Sequence, residues 1–347
     1  MAAAVLGGTL VAQVIGYRAT SRAAKKTAED QRKQLDRTLD EQRTKTLNER
    51  FATAAEQLGS DKPAIRLAGV YAMAGLADDW EANRQTCVDV LCAYLRMPYE
   101  PEPGQDSPAP EQLAFRSTRE VRHTVIRVIS SHLEDDASVS WQGLNFDFTG
   151  VVFDGGDFGG ARFSGGTIRF RGAQFSGDIV HFTNAGFSGG TVDFSNAEFC
   201  ADMVSFADTR VSGGTVYFHF ARFSGGTVGF FRTHFCGGEV SFYGAEFSGG
   251  KVNFGGAEFS GGKVNFGGAG FSGGKVDFHR SRFSGGEVDF SRSRFSGSVV
   301  NLGHARFSGS EVDFSEASDW SRPPAFPWAN TPPTGVKLPS MEDHSKE

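Results

Sequence analysis

Seven carboxylate or carboxamide residues recur at multiples of twelve positions: Asp193, Asn253, Asn265, Asp277, Asp289, Asn301 and Asp313. Acids aligned on one surface could act as the paired carboxylates of a β-helical hydrolase or lyase, or as oxygen ligands for a cation. The histidines do not recur with them, since His181, His219, His234, His279 and His304 occupy different slots. A solvated ladder of side-chain hydrogen bonds is the simpler reading. The thiols are equally sparse. Cys87 and Cys92 form a C-x4-C pair on one helix and lack two further ligands in sequence, so they read as buried core thiols. Cys200 and Cys236 stand in slots that otherwise hold serine. Arg280, Arg282, Arg292, Arg294 and Arg306 form a late basic cluster able to meet a phosphate or an acidic partner, with Glu287, Asp289, Glu311 and Asp313 placed to neutralise it. Arg116, Arg119, Arg122 and Arg127 read as the solvated face of a helix, and His132 as a half-buried structural residue. No phosphate-binding glycine loop, metal motif or nucleophile elbow is present. The sequence therefore assigns no catalytic, cofactor-binding or metal-binding residue, and the expectation is a protein that is not an enzyme and uses no cofactor.

The element that carries most of these residues is a repeat. Of the 33 phenylalanines, 30 lie between Trp141 and Ala317, with 37 of the 45 glycines and no proline. Phenylalanine steps first by five (Phe148, Phe153, Phe158, Phe163) and then by seven and five in alternation to Phe314. Each series that recurs every twelve residues holds Phe in twelve of thirteen positions; Val211 and Leu302 are the exceptions. The unit reads A-x-F-S-G-G-x-V-x-F-x-x. A-x-F and V-x-F each put two side chains on the same side of a short extended segment. Ser-Gly-Gly supplies bends where positive φ is cheap. Coils stacked ~4.8 Å apart would align Phe on Phe and pair amides between neighbours. The spacing leaves the hand of the solenoid open. A coil of 24 residues is preferred over one of twelve, because two Phe and a Val per twelve residues would overfill a thin interior.

Residues 1–17 carry no charge and are followed by Arg18, Arg22, Lys25 and Lys26. A single membrane anchor is expected there, short of the ~20 apolar residues of a full span, with the remainder on the cytoplasmic side. A packed helix and a secretory signal are the alternatives. Residues 18–58 form a helical neck, with ten basic and six acidic residues between Arg18 and Arg50. Its thin stripe of Ala28, Leu35, Leu39, Leu47 and Phe51 allows either a single projecting helix or a homo-oligomeric coiled coil. A small helical domain over 59–136 follows, with helices expected at Ala64–Trp80, Arg84–Met97 and Glu111–Leu133 and a Pro-rich linker over 98–110. Ser60 or Asp61 is the expected cap of the first, with Pro63 in its first turn. The solenoid covers 137–318. Residues 319–347 read as a cap, with Trp320, Phe326 and Trp328 on the last coil, and a disordered tail from about Ser340.

The stretch Phe148-Thr-Gly-Val-Val, Phe153-Asp-Gly-Gly-Asp, Phe158-Gly-Gly-Ala-Arg, Phe163 resembles the pentapeptide-repeat family. That resemblance implies a mainly β fold, a right-handed quadrilateral β-helix, here with two residues added at alternate corners. Glu49-Arg50-Phe51, Glu56-Gln57-Leu58-Gly59-Ser60 and Arg66-Leu67-Ala68-Gly69-Val70-Tyr71-Ala72 resemble a leader found in actinobacterial membrane-anchored pentapeptide-repeat proteins. Together they imply a membrane-tethered scaffold or protein-interaction module with an unidentified protein partner, single-pass in the cell membrane. Some members of the family mimic DNA and protect gyrase, so a topoisomerase regulator is the alternative, and a carbohydrate-active β-helix a more distant one. Between Trp141 and Ser318 there are 17 acids and 14 bases. A duplex carries one charge per ~1.7 Å, so this balance is too even to imitate it. Nucleic acid is not the expected partner.

Overall fold

The computed structural model describes residues 3–100, 102–329 and 331–340, with side chains from residue 25 onward. The chain forms two compact units, Met1–Thr53 and Ala54–Glu347. The first is built on one long helix, α1 (Ala3–Leu58). On it Leu35 and Leu39 are exposed. The expected anchor over 1–17 falls on residues whose side chains are not described, and most of the expected tail lies outside the described residues. Among the described residues no helix is long and apolar enough to cross a membrane.

In the second unit, α2 (Pro63–Asp79), α3 (Arg84–Arg96) and α4 (Ala109–Leu133) pack together, with a short 3-10 turn at Glu81–Asn83. Pro63 opens α2 where its missing N–H is harmless. The cap differs from expectation: Lys62 holds the N-cap position without a side-chain bond, while Ser60 Oγ accepts from the Lys62 amide at 3.2 Å and shapes the turn before it. Met73, Leu76, Cys87, Leu91, Cys92, Val121, Val125 and Ile129 are almost fully buried, which accounts for their helical spacing. Trp141 ends the helical layer. Its ring lies 4.0 Å from that of His132, and its Nε1 donates to Asp78 at 2.9 Å. His132 Nε2 also meets Asp78, at 3.2 Å, so this histidine is structural.

From Phe146 the chain is a parallel β-solenoid of about 8 coils. Its strands join into one 13-stranded and two 7-stranded parallel sheets. Register settles the coil length: Phe175 pairs with Phe199 and Val180 with Val204, each 24 residues on. Each regular coil contributes four strand segments, two of them to the larger sheet.

The interior is made of phenylalanine columns. Phe170, Phe194, Phe218, Phe242, Phe266, Phe290 and Phe314 stack face to face with centroids 4.5–4.8 Å apart. The Phe182 to Phe278 column meets this one edge-on, and the Phe175 to Phe295 column meets it tilted. Offset stacks and T-shaped contacts are the arrangements that ring quadrupoles favour. Four units replace the small Ala by a hydroxyl residue, and each hydroxyl finds an acceptor. Thr209, Thr233, Ser281 and Ser293 donate to the carbonyls of Phe182, Phe206, Phe254 and Phe266 at 2.8–3.1 Å. A buried hydroxyl with its bond made carries little penalty.

Both ends are covered. Helix α4 docks on the first coil through a cluster around Asp154, which accepts from Tyr99 (2.6 Å), His123 (2.9 Å) and Arg119 (3.0 Å). Arg119 continues to Asp178 at 2.6 Å. At the far end Trp320 packs edge-on against Phe295, Phe326 against Phe314, and Trp328 against Phe307. Strand Val336–Lys337 pairs in parallel beside Glu311–Asp313 and closes that edge of the larger sheet.

Candidate interaction surface

The columns take the large side chains inward, so the distinguishing chemistry lies on the outward positions and corners. The Asp and Asn series bonds mainly to local backbone. Oδ1 of Asp193, Asn253, Asn265, Asp277, Asp289, Asn301 and Asp313 accepts from the amide two residues on, at 2.6–3.1 Å. These are Asx turns that fix each corner. One rung of the expected ladder forms, from Asn301 Nδ2 to Asp277 Oδ1 at 3.0 Å. Held so, the side chains fix the corners of the fold.

Cys200 follows a strand of one seven-stranded sheet, Cys236 lies in the 13-stranded sheet, and their thiols point to the carbonyls of Phe175 and Val211. Among the described residues no group of three metal-ligating side chains comes together. Two of the four α4 arginines differ from expectation, while Arg116 and Arg127 are exposed as expected. Arg127 pairs with Glu120 on the surface, whereas Arg119 and Arg122 are junction residues. Arg122 is buried and donates to the carbonyls of Leu95 and Val152 at 2.7 and 2.8 Å. The helix face they occupy is covered by the first coil, a tertiary contact that helical spacing alone does not reveal.

The late arginines separate into two groups. Arg294 reaches Glu246 two coils back (2.8 Å), and Arg292 approaches Glu316 (3.9 Å). Their expected neutralisers are engaged elsewhere: Glu287 holds Lys263, while Glu311 and Asp313 hold Lys337. Arg280, Arg282 and Arg306 face solvent on another edge, and among the described residues they form no ion pair. Arg282 and Arg306 stand directly opposite each other in register on adjacent coils.

That edge is a groove of about 540 Å3, lined by Phe231, Arg232, His234, Lys251, Arg280 and Arg282, with Glu258 and Asp277 on its walls. Its floor is Gly255-Gly256, where the corner carries no side chains. The Phe231 ring leans over this floor and is 43% exposed, large for a phenylalanine. Arg232 lies over the same ring at 5.1 Å and pairs with Asp208. His234 meets Glu258 at 3.3 Å, and the His279 and His304 rings meet edge-on at 5.1 Å.

The corner conformation makes these residues informative. Arg232, Arg280 and His304 have φ of 54°, 60° and 56°, the left-handed region that Gly160 and Asn184 occupy at the equivalent corners. An ordinary side chain there costs about 1–2 kcal/mol relative to glycine. Gly or Asn would suit the backbone of these corners better. A second corner holds Phe220, also left-handed at φ 55° and 54% exposed, edge-on to Tyr243 at 5.8 Å.

Sequence reading found Arg280, Arg282 and Arg306 but missed Phe231, Arg232 and Lys251. Writing the sequence in rows of 24 residues brings them to the same edge, since Arg232 and Arg280 differ by two coils. The class defined by this geometry is a parallel β-solenoid of 24-residue coils, capped at one end by helices and at the other by aromatic residues. The chain matches no family model, no curated protein and no solved structure.

Proposed function

We propose that the chain is a non-catalytic scaffold of the pentapeptide-repeat type that binds an acidic protein partner along the basic solenoid edge. The observation that carries this reading is the set of cations that form no ion pair among the described residues, Lys251, Arg280, Arg282 and Arg306, on one edge of a chain whose formal net charge is −6. Complementary charge of this kind steers association and selects partners more than it adds affinity. Exposed Phe231 beside the arginines supplies an aromatic anchor of the type interfaces favour. A DNA-mimic role would need an acidic stripe, and the outward carboxylates here are bound to lysines and turn amides instead.

The tether belongs to the same proposal. Residues 1–17 anchor the protein in the cell membrane, and the solenoid lies on the cytoplasmic side. Exposed Leu35 and Leu39 suit pairing of two necks.

The test is direct. Full-length protein is titrated with a poly-glutamate peptide, with an oligonucleotide of equal charge, and with poly-lysine. Tight, salt-sensitive binding of poly-glutamate that is lost in an Arg280→Glu/Arg282→Glu double variant is expected. Preference for the oligonucleotide, or binding unaffected by the double variant, would replace the acidic-protein reading. Membrane fractionation with and without residues 1–17 tests the tether separately.

A further inference from the structure

A cavity of about 200 Å3 lies away from the solenoid edge, between the α1–α2 turn, α3 and α4. Arg66, Tyr94, Thr118 and Arg122 line it, with Asp61 as the one carboxylate on its wall. Arg66 carries a buried Nε that finds no hydrogen-bond partner among the described residues. Arg122 is only 3% exposed, and its bonds go to two neutral carbonyls. Two of its five N–H donors are thereby used, which leaves three. Burial lowers its pKa despite the nearby Tyr99, Asp154 and Tyr94, and its guanidinium carbon lies over the Tyr99 ring at 4.2 Å.

Buried charge is tolerated when it is paired and hydrogen-bonded. Here two arginines and two hydroxyl residues line one small space with Asp61, while Glu100, Glu102 and Glu111 line the adjoining groove on the other side of Arg66 and Thr118. We propose that this cavity is a binding site for a phosphate-class oxyanion, either free phosphate or the phosphoryl group of a small monoester. Guanidinium forks match such oxygens with paired, charge-assisted bonds. Tyr94 and Thr118 add hydroxyl residues to the same lining. The site also has a mechanical consequence. Arg122 ties Leu95 of α3 to Val152 of the first coil, so an anion held against it secures the docking of the helices on the solenoid.

The experiment uses the full chain, inorganic phosphate and glycerol phosphate as probes, and sodium chloride at matched ionic strength as control. Each probe is titrated by calorimetry and by thermal melting. A saturable rise in melting temperature with phosphate, above the chloride control, is expected from binding to the folded state. Arg66→Gln should weaken the affinity at least tenfold while leaving the far-ultraviolet dichroism unchanged, and Thr118→Val should weaken it less. Tighter binding of glycerol phosphate identifies a monoester as the ligand; tighter binding of inorganic phosphate identifies the free ion. No response beyond the chloride control overturns the proposal. So does an undiminished response in both variants.

Discussion

Phe266 lies on Phe290, one coil further along, with ring centroids 4.7 Å apart and planes 3° from parallel. Phe266 also touches Phe242, Phe247, Phe254, Phe271 and Phe278, so a single ring is enclosed by six others. Removing it opens a void that neighbouring rings, each fixed in its own stack, cannot fill. Phe266→Ala should destabilise the solenoid by about 3–5 kcal/mol. Phe307 belongs to a column that stacks mainly on itself, and it is only half-buried near the end. Phe307→Ala should cost clearly less. Urea unfolding of both variants checks the order, and equal losses would contradict an interior built as interlocking columns.

The Ser-Gly-Gly corners are as restrictive as the rings. Gly250 has φ +63°, and a Cβ there would sit 2.5 Å from the carbonyl oxygen of Gly226 on the preceding coil. The obstacle is backbone, which cannot move aside without breaking the stack. Gly250→Ala should cost more than the about 1–2 kcal/mol of left-handed strain alone and lower soluble yield. Gly229 has no atom near its would-be Cβ. Gly229→Ala should change stability by less than about 0.5 kcal/mol. Thermal melting of the pair separates corner geometry from glycine content as the source of the bias.

These contrasts also show what a linear sequence carries. The columns were legible because twelve-residue spacing is a direct record of which side chains point inward. The 24-residue coil followed from volume, and pairs such as Phe175 with Phe199 bear it out. The final cap was legible too, since Trp320, Phe326 and Trp328 have nowhere else to bury their rings. The basic edge was only half legible. Which acid neutralises which base depends on neighbours 24 or 48 residues apart, as in the reach of Arg294 to Glu246. The docking of α4 was hidden altogether. Arg119 and Arg122 look like a solvated face until the first coil brings Asp154 and the Val152 carbonyl against them.

That junction has a definite acid response. Burial works against a charged Asp154, but hydrogen bonds from His123 and Tyr99 and the charges of His123 and Arg119 outweigh it, holding its pKa below the usual carboxylate value. A depressed pKa contributes stability that is complete above the unfolded value of about 3.9 and is lost as pH falls through the folded one. Asp147, likewise depressed, adds to the same trend. Stability should therefore drop as the solution is acidified below about pH 4. Asp154→Asn should be less stable at neutral pH by about 1–3 kcal/mol and show a shallower acid decline. Urea midpoints measured across the acid range for both proteins test this, and an unchanged slope would remove Asp154 from the account.

The four cysteines divide by environment, which makes them reporters of the helical layer. Burial pushes the Cys87 thiol up to about 11 and the Cys92 thiol up to about 12, and neither side chain is exposed. Alkylation requires the thiolate, so both should be inert in the folded protein. Cys200 is exposed and Cys236 partly so. Burial followed by the nearby Glu198 charge raises Cys200, which should slow its reaction without preventing it. Treatment with a maleimide under native conditions should thus modify the two solenoid thiols, and denaturant should release the other two. Because α3 carries Cys87 and Cys92 in the core of the helical layer, their labelling midpoint in urea reports unfolding of that layer, and Asp154→Asn should move it to lower urea. Native labelling of Cys87 or Cys92, read by mass spectrometry of peptides, would show that the helices open independently of the solenoid.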